Sequence, residues 1–233
     1  MQQDTSLLAV DADTLTLADD GAQVFRAEAR SYLGDLLAIL AGLPRDRAGV
    51  RLGAMPDLYP YLAPTGPVGA LARRLIGHGG QAVRAILFDK SESNNWSLAW
   101  HQDRTICVRE PRDVAGFDPW SIKGGLHHVA PPFDLLARMV TLRIHLDDVP
   151  ATNAPLLVAI GSHRRGRIPV EQVDHVVAQC PIARCLALAG DVWAYSTPIL
   201  HASQSADPPA RRRVLQVDFS ADSLPDGLQW FGA

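Results

Sequence analysis

From Ala82 onward the chain consists of short apolar segments separated by turn residues, and this pattern narrows the possible folds more than any other feature. The segments are 82–89, 97–102, 139–146, 155–160, 184–188, 191–196 and 212–219. Runs of this length between turn signals are typical of strands, and several in series predict an antiparallel sandwich or barrel. One helical segment, 169–179, interrupts them. We therefore expect a mainly β fold with flanking helices.

The first 80 residues carry a different pattern, which predicts a mostly helical region beside the β core. Residues 22–26 are suited to a short strand. Ser31 is placed to cap a helix that runs to Leu40, where glycine and proline follow. Pro67 is placed to begin a second helix that ends at Ile76.

Length and composition indicate one domain over residues 1–233, because 47% hydrophobic residues are enough for one substantial core. A net charge of -3 and a pI near 6.2 argue against nucleic acid or an anionic membrane as partners. Residues 1–5 lack a basic, apolar leader. The three cysteines fit neither a disulfide framework nor a zinc site, so we expect reduced thiols in a cytoplasmic protein.

Two histidines and one aspartate have the pattern of an open metal site. In the segment Trp100-His101-Gln102-Asp103, alternate strand side chains would share a face, so His101 and Asp103 could bind one ion. His201, 98 positions after Asp103, would supply a third ligand. Two imidazoles and a carboxylate leave about three coordination positions open, which is the arrangement of non-haem Fe(II) oxygenases.

Basic residues follow His201 and suit an acidic co-substrate. Arg211-Arg212-Arg213 precede an apolar strand, and a guanidinium can hold the distal carboxylate of 2-oxoglutarate through two parallel hydrogen bonds. Ser203, on the same strand face as His201, could add a hydroxyl donor. The alternative is that the three arginines form only a solvated charged edge.

These features lie in one ordered series from about Ala85 to Ala221, which resembles the phytanoyl-CoA dioxygenase family of Fe(II)/2-oxoglutarate oxygenases. The resemblance rests on Phe88-Asp89-Lys90 with Asn95-Trp96, Trp100-His101-Gln102-Asp103, Gly161-Ser162-His163, Gly190-Asp191, and His201-x-Ser203 with Arg212. It implies a double-stranded β-helix, a jelly-roll barrel of the cupin kind, over residues 82–221.

The resemblance also implies a cofactor set and site residues. The cofactors would be Fe(II), 2-oxoglutarate and O2, and the reaction would hydroxylate a small molecule with release of succinate and CO2. The iron ligands would be His101, Asp103 and His201. The 2-oxoglutarate ligands would be Arg212 and Ser203, with Arg143 as a further contact where relatives usually have an aromatic residue.

The side-chain alternation of the last strand agrees with the choice of Arg212 among the three arginines. Residues that would face the barrel interior with Arg212 are Val214, Gln216 and Asp218. Residues that would pack outward against helices are Arg213, Leu215, Val217 and Phe219. This orientation gives the co-substrate a partly polar wall, whereas the opposite one would surround it with apolar side chains.

The stretch 104–138 is too long for an ordinary hairpin loop and follows a candidate ligand directly. Long ordered loops are usually functional, so we expect an insertion that covers the site as a lid and selects the substrate. Trp120, placed in this loop, His127 and Gln216 are the candidate substrate contacts. His127 and His128 would face opposite ways in a strand, so both are not expected to bind one ion.

Two other classes of function remain open from the sequence. One is a cupin-like metalloenzyme that does not use 2-oxoglutarate and so has no need of Arg212 and Ser203. The other is a non-catalytic binding or sensor relative. Asp103 argues against the halogenating variant of the family, in which a small residue replaces the carboxylate. Desaturation or another oxidative outcome would need no different ligands.

Overall fold

The computed structural model describes residues 10–45, 47–53, 55–208 and 210–233. Residues 1–5, on which the expectation of no leader rests, lie outside them. The strands are β1 (Ala22–Phe25), β2 (Val50–Leu52), β3 (Gln81–Lys90), β4 (Leu98–His101), β5 (Ile106–Val108), β6 (Trp120–Lys123), β7 (Leu126–Val129), β8 (Val140–His145), β9 (Leu156–Ala159), β10 (Ile182–Cys185), β11 (Val192–Ser196), β12 (His201–Ser203) and β13 (Arg212–Ser220).

Short helices flank these strands. The α-helices are α1 (Leu17–Asp20), α2 (Leu33–Ile39), α3 (Tyr59–Leu62), α4 (Pro67–Ile76), α5 (Phe133–Ala137) and α6 (Val173–Val177). Single 3-10 turns cover Ala12–Thr14, Arg30–Tyr32, Ser162–Arg165 and Val170–Gln172. In the part of the chain that the structure describes, no helix has the length and apolar character needed to cross a membrane.

Antiparallel pairing arranges the strands in three sheets. The six-stranded sheet has the order β1-β11-β8-β13-β3-β2, and the four-stranded sheet has the order β10-β9-β12-β4. A small third sheet, β5-β7-β6, comes from the 104–138 stretch. The mainly β prediction is therefore confirmed, and the sheets are consistent with a double-stranded β-helix.

Strand β13 lies in the middle of the large sheet, between β3 and β8. Its outward residues Leu215, Val217 and Phe219 are fully buried in a core shared with helices α2, α3 and α4. Its inward residues include Arg212 and Gln216, which line a cavity. The predicted alternation along this strand is thus what the structure shows.

The helix expected to begin at Ser31 is arranged differently. Ser31 lies inside the 3-10 turn Arg30–Tyr32, α2 begins at Leu33, and no side chain caps it. The tighter turn satisfies its own backbone groups, so the serine cap is not used. The second predicted helix is confirmed, since α4 runs from Pro67 to Ile76.

The 104–138 stretch is more regular than a loop. Its three strands and α5 pack an apolar cluster that includes Phe117, Leu135 and Leu136 together with Leu228 and Trp230 from the C-terminal segment. Backbone hydrogen bonds tie the two segments, for example from Phe231 N to the Cys107 carbonyl at 3.1 Å. Trp120, expected in a loop, is the first residue of β6.

Replacing Leu142 by alanine should lower the free energy of unfolding by about 2–5 kcal/mol, because the side chain is fully buried in the central strand β8 and its loss leaves a cavity. Urea unfolding of both proteins measures the difference. Ile122→Ala is the matched control, since Ile122 is 68% exposed, and a change within about 0.5 kcal/mol is expected there. Equal losses for the two variants would contradict this packing.

Candidate active site

Three potential metal ligands come together on the four-stranded sheet. His101 ends β4 and pairs directly with His201 at the start of β12, so the two rings lie side by side with centroids 4.3 Å apart. Asp103 follows two residues after the end of β4, beyond the strand that was predicted to contain it. One ligand atom from each residue lies within 4.8 Å of the others, close enough for one metal ion.

Backbone carbonyls set the orientation of both imidazoles. His101 Nδ1 lies 2.8 Å from the Ala99 carbonyl, and His201 Nδ1 lies 2.9 Å from the Ile199 carbonyl. A carbonyl oxygen only accepts, so each Nδ1 carries the proton and each Nε2 keeps a free lone pair. Burial also lowers the pKa of His201 to about 4, which keeps that ring neutral, the form that binds metals.

Gln102 points to the other side of the backbone and anchors this segment. Its Nε2 donates to the carbonyls of Gly166 at 3.0 Å and Pro198 at 2.9 Å, while its Oε1 accepts from Ile168 N at 2.9 Å. These three bonds hold the turn after β4. The side chains of His101 and Asp103, on either side of Gln102, are thereby directed to the same cavity.

Salt bridges through Arg84 connect Asp103 to the large sheet. Arg84 in β3 donates to Asp103 at 3.3 Å and also to Asp218 in β13, whose other oxygen accepts the Thr141 hydroxyl at 3.0 Å. Burial alone would raise the pKa of Asp103, but the Arg84 charge reverses the effect and holds the pKa below its usual range. Asp103 is therefore a carboxylate with a fixed orientation.

The ligands face a cavity of about 150 Å3 between the two sheets. Its lining residues are Arg51, Arg84, Ile86, Phe88, Trp96, Leu98, His101, Asp103, Arg143, Leu156, His201, Ser203, Arg212 and Gln216. The predicted co-substrate residues Arg143, Ser203 and Arg212 are all in this set. Arg213, by contrast, lies outside and pairs with Asp147 at 2.6 Å.

Buried cations without acidic partners lie at one end of the cavity: Arg143 and Arg212 line it, and Lys90 contacts the lining residue Ser203. Lys90 donates to Ser203 Oγ at 3.0 Å, Arg143 donates to Gln216 Oε1 at 2.7 Å, and Arg212 donates to the Ala154 carbonyl. Among the described residues, none of these cations forms a salt bridge. The Nε atoms of Arg143 and Arg212 are buried and have no hydrogen-bond partner within that part of the chain.

Each of these positive charges disfavours the protonated form of its neighbours. Burial, together with the charges of Arg212 and Arg143, lowers the pKa of Lys90 to about 7. Burial and Arg143 lower the pKa of Arg212 to about 9. Like charges held together out of water are stabilised by an anion, so this end of the cavity is suited to a carboxylate.

The structure does not bring every expected substrate residue to the cavity. Gln216 lines it, but Trp120 borders a separate surface depression formed by residues 111–118. His127 and His128 lie in β7, where His128 is fully buried and His127 is half-buried, and neither lines the cavity. Their opposite orientation in a strand agrees with the expectation that both do not bind one ion.

Sequence reasoning gave no role to Arg51, Arg84 or Lys90. Arg84 and Lys90 share the inward face of β3 with Ile86 and Phe88, so alternation along that strand was the available signal. Arg51 had no such signal, because β2 has only three residues.

Comparison with known proteins gives one family and one fold. The model of the family described as phytanoyl-CoA dioxygenase matches residues 68–214. A search of curated proteins found no significant match.

Several solved structures superpose on this chain with less than a fifth of the residues identical, so the likeness shows a common fold. They include the non-haem α-ketoglutarate-dependent carbocyclase SnoK of nogalamycin biosynthesis, with 16% identity, a TM-score of 0.61, and 91% of this chain and 86% of SnoK covered. EctD from S. alaskensis has 18% identity, a TM-score of 0.62 and coverages of 93% and 78%. HygX from Streptomyces hygroscopicus, solved with nickel and 2-oxoglutarate, has 14% identity, a TM-score of 0.59 and coverages of 88% and 83%.

The buried His128 should make the metal-free protein sensitive to acid. Burial lowers its pKa in the folded state to about 4, whereas the unfolded chain titrates near the ordinary value of 6.5. Between these values the unfolded state binds more protons, so stability is full above pH 6.5 and falls as the pH decreases toward 4. Replacing His128 by leucine should therefore reduce the stability lost between pH 7 and pH 5 by about 1–2 kcal/mol.

Urea unfolding of the metal-free proteins at both pH values measures this difference. The exposed His175, replaced by asparagine, serves as the control and should leave the loss unchanged. An identical loss in wild type and His128→Leu would show that His128 is not held neutral by burial.

Proposed function

The chain belongs to the phytanoyl-CoA dioxygenase family, and on that basis we propose that it is an Fe(II)- and 2-oxoglutarate-dependent dioxygenase that hydroxylates a small molecule. Members of this family use Fe(II), 2-oxoglutarate and O2. One observation carries the proposal: a single cavity contains three convergent metal ligands and, at one end, buried cations that have no carboxylate partner among the described residues.

The donor set fits Fe(II). His101 Nε2, His201 Nε2 and the Asp103 carboxylate would hold the ion, and three protein ligands leave positions open for a chelating co-substrate and O2. With these bound, the metal supplies the oxidising chemistry in which 2-oxoglutarate becomes succinate and CO2 and one oxygen atom enters the substrate. The contribution of Arg84 is to hold Asp103 ionised and oriented.

The co-substrate fits the cationic end of the cavity. The unpartnered Nε of Arg212 has a free donor for the distal carboxylate, and Arg143 provides a second one. Ser203 Oγ accepts from Lys90, and its hydroxyl donates to the Gln204 carbonyl at 3.3 Å; rotation of that hydroxyl would turn its proton toward the same carboxylate. Two arginines and a lysine would then be neutralised in part by one bound anion, which relieves the repulsion between them.

The remaining cavity residues would bind the substrate and limit water. Phe88 packs under the Arg143 guanidinium, and Trp96 lies against Lys90, so aromatic faces shield the cations from solvent. Gln216 faces the same space from β13 and is our candidate for a polar substrate contact. A cupin-like enzyme that does not use 2-oxoglutarate would not need the unpaired arginines. A non-catalytic relative would not need a metal site with open coordination positions.

Replacing His101, Asp103 or His201 by alanine should abolish iron binding and succinate release while the fold is kept, because each removes one of three metal ligands. Bound iron, succinate formed from 2-oxoglutarate and circular dichroism are measured on each purified variant. His163→Ala, a histidine outside the cavity, is the control and should keep its iron. Full activity in any ligand variant would remove that residue from the metal site.

Arg212→Ala should weaken 2-oxoglutarate binding by roughly 30-fold or more, since it removes one partner of a buried charge pair. Arg212→Lys should also bind weakly, because lysine lacks the planar fork. Arg213→Ala is the matched control: its side chain pairs with Asp147 outside the cavity, so affinity should not change. Calorimetric titration of the iron-loaded proteins gives the dissociation constants. If only Arg213→Ala loses affinity for 2-oxoglutarate, Arg213 rather than Arg212 binds the carboxylate, and the assignment is wrong.

A further inference from the structure

The cavity has a second cationic position, on a strand that carries none of the residues assigned to 2-oxoglutarate. Arg51 in the edge strand β2 pairs with Ile86, so its side chain faces the same side of the sheet as Ile86 and Gln216. It lines the cavity together with the metal ligands. Its Nε is buried, and within the described residues it has neither a hydrogen-bond partner nor an ion pair.

The two cationic positions have different surroundings. Arg212 pairs with Lys90 and donates to the Ala154 carbonyl. Arg51 pairs with Ile86, four residues away along β3, and lies against the turn between β6 and β7. A 2-oxoglutarate carboxylate assigned to Arg212 therefore leaves Arg51 without an assigned counter-charge.

A second cation, Lys123, lies near Arg51, beside the cavity but outside its lining. The turn between β6 and β7 contacts the Arg51 side chain, since a Cβ on Gly124 would lie 3.5 Å from its Nη1. Lys123, the preceding residue, donates to the Thr105 hydroxyl at 3.3 Å, which places it beside the Asp103 segment. Burial lowers the pKa of Arg51, and the charge of the nearby Arg84 lowers it further.

The acidic groups around the cavity do not balance these charges. Asp103 and Asp218 both contact Arg84, and no other described carboxylate forms an ion pair with a residue that lines the cavity. Fe(II) and doubly charged 2-oxoglutarate add no net charge. The loaded site would therefore still carry an excess of positive charge, which a second anion would neutralise.

Arg51 precedes the segment that the family model matches, residues 68–214. Residues that the family shares are expected to bind the metal and co-substrate, whereas the substrate differs among relatives. A cation outside the shared segment but inside the cavity is thus placed to select the substrate.

We propose that the primary substrate is an anion, a small molecule whose carboxylate or phosphate group is bound by Arg51 and Lys123 at the mouth of the cavity. Its apolar part packs against Ile86 and Leu98, which line the same space. This inference rests on the proposed function, which assigns Arg143, Ser203 and Arg212 to 2-oxoglutarate. It gives the 104–138 insertion a specific role, which is to supply one of the two cations.

The test uses protein loaded anaerobically with Fe(II) and 2-oxoglutarate, and benzoate and benzamide as probes of equal shape. Wild type should bind benzoate at least about tenfold more tightly than benzamide, because only benzoate offers a charge to the cations. Arg51→Gln should weaken benzoate about tenfold and leave benzamide unchanged, and Lys123→Gln should act in the same direction. Arg184→Gln, an exposed arginine on β10, is the matched control and should have no effect.

Inorganic phosphate, used in place of benzoate, separates the two sources of the anion: tighter binding of phosphate indicates a phosphorylated substrate. Equal binding of benzoate and benzamide in wild type, or no saturable binding of either anion, overturns the proposal. The proposal is also overturned if the preference for benzoate over benzamide is kept in Arg51→Gln but lost in Arg143→Gln.

Binding of 2-oxoglutarate is measured first on every protein, which keeps the two proposals distinguishable. If wild type binds Fe(II) and 2-oxoglutarate but shows no anion preference, only the substrate class is wrong. If it binds no 2-oxoglutarate, the proposed function itself fails.

Discussion

The register of β13 between β3 and β8 is the constraint on which the site depends. Strand β13 pairs with β3 over Arg212–Ser220, with one irregularity between Asp218 and Phe219. Its alternation turns Arg212 and Gln216 toward the cavity and Leu215 and Val217 toward the helices. A shift by one residue would bury Arg213 in the cavity and expose Leu215 to it. The apolar outer face, packed against α2, α3 and α4, prevents that shift, so the hydrophobic core positions the polar residues of the site.

The site also depends on buried positive charges that have no carboxylate partner among the described residues. Arg84 is neutralised by two carboxylates, but Lys90, Arg143 and Arg212 have only neutral hydrogen-bond partners among the described residues. Such an arrangement costs folding energy that a bound anion returns, because a ligand that binds only the folded state stabilises it. The energetic cost of the empty cavity and its affinity for dicarboxylates thus have the same physical origin.

The sequence predicted features that depend on residues close together in the chain. It missed features that depend on contacts between distant segments. The alternation of β13, the start of α4 at Pro67 and the convergence of His101, Asp103 and His201 follow from local patterns or matched motifs. Arg51 and Arg84 were missed because their importance depends on which strands pair across the sheet. The regular structure of the 104–138 stretch was missed because its core is completed by Leu228 and Trp230, about a hundred residues away.

The central claim is that one cavity binds a metal ion and 2-oxoglutarate together. Chelation of Fe(II) by the 2-oxo acid produces a visible absorption band, so anaerobic titration of the iron-loaded protein with 2-oxoglutarate tests the claim directly. We expect a band that saturates at one equivalent of 2-oxoglutarate, needs both Fe(II) and 2-oxoglutarate, and is absent from the His201→Ala protein. Absence of the band in folded, iron-loaded wild-type protein, or its persistence without His201, would contradict the account.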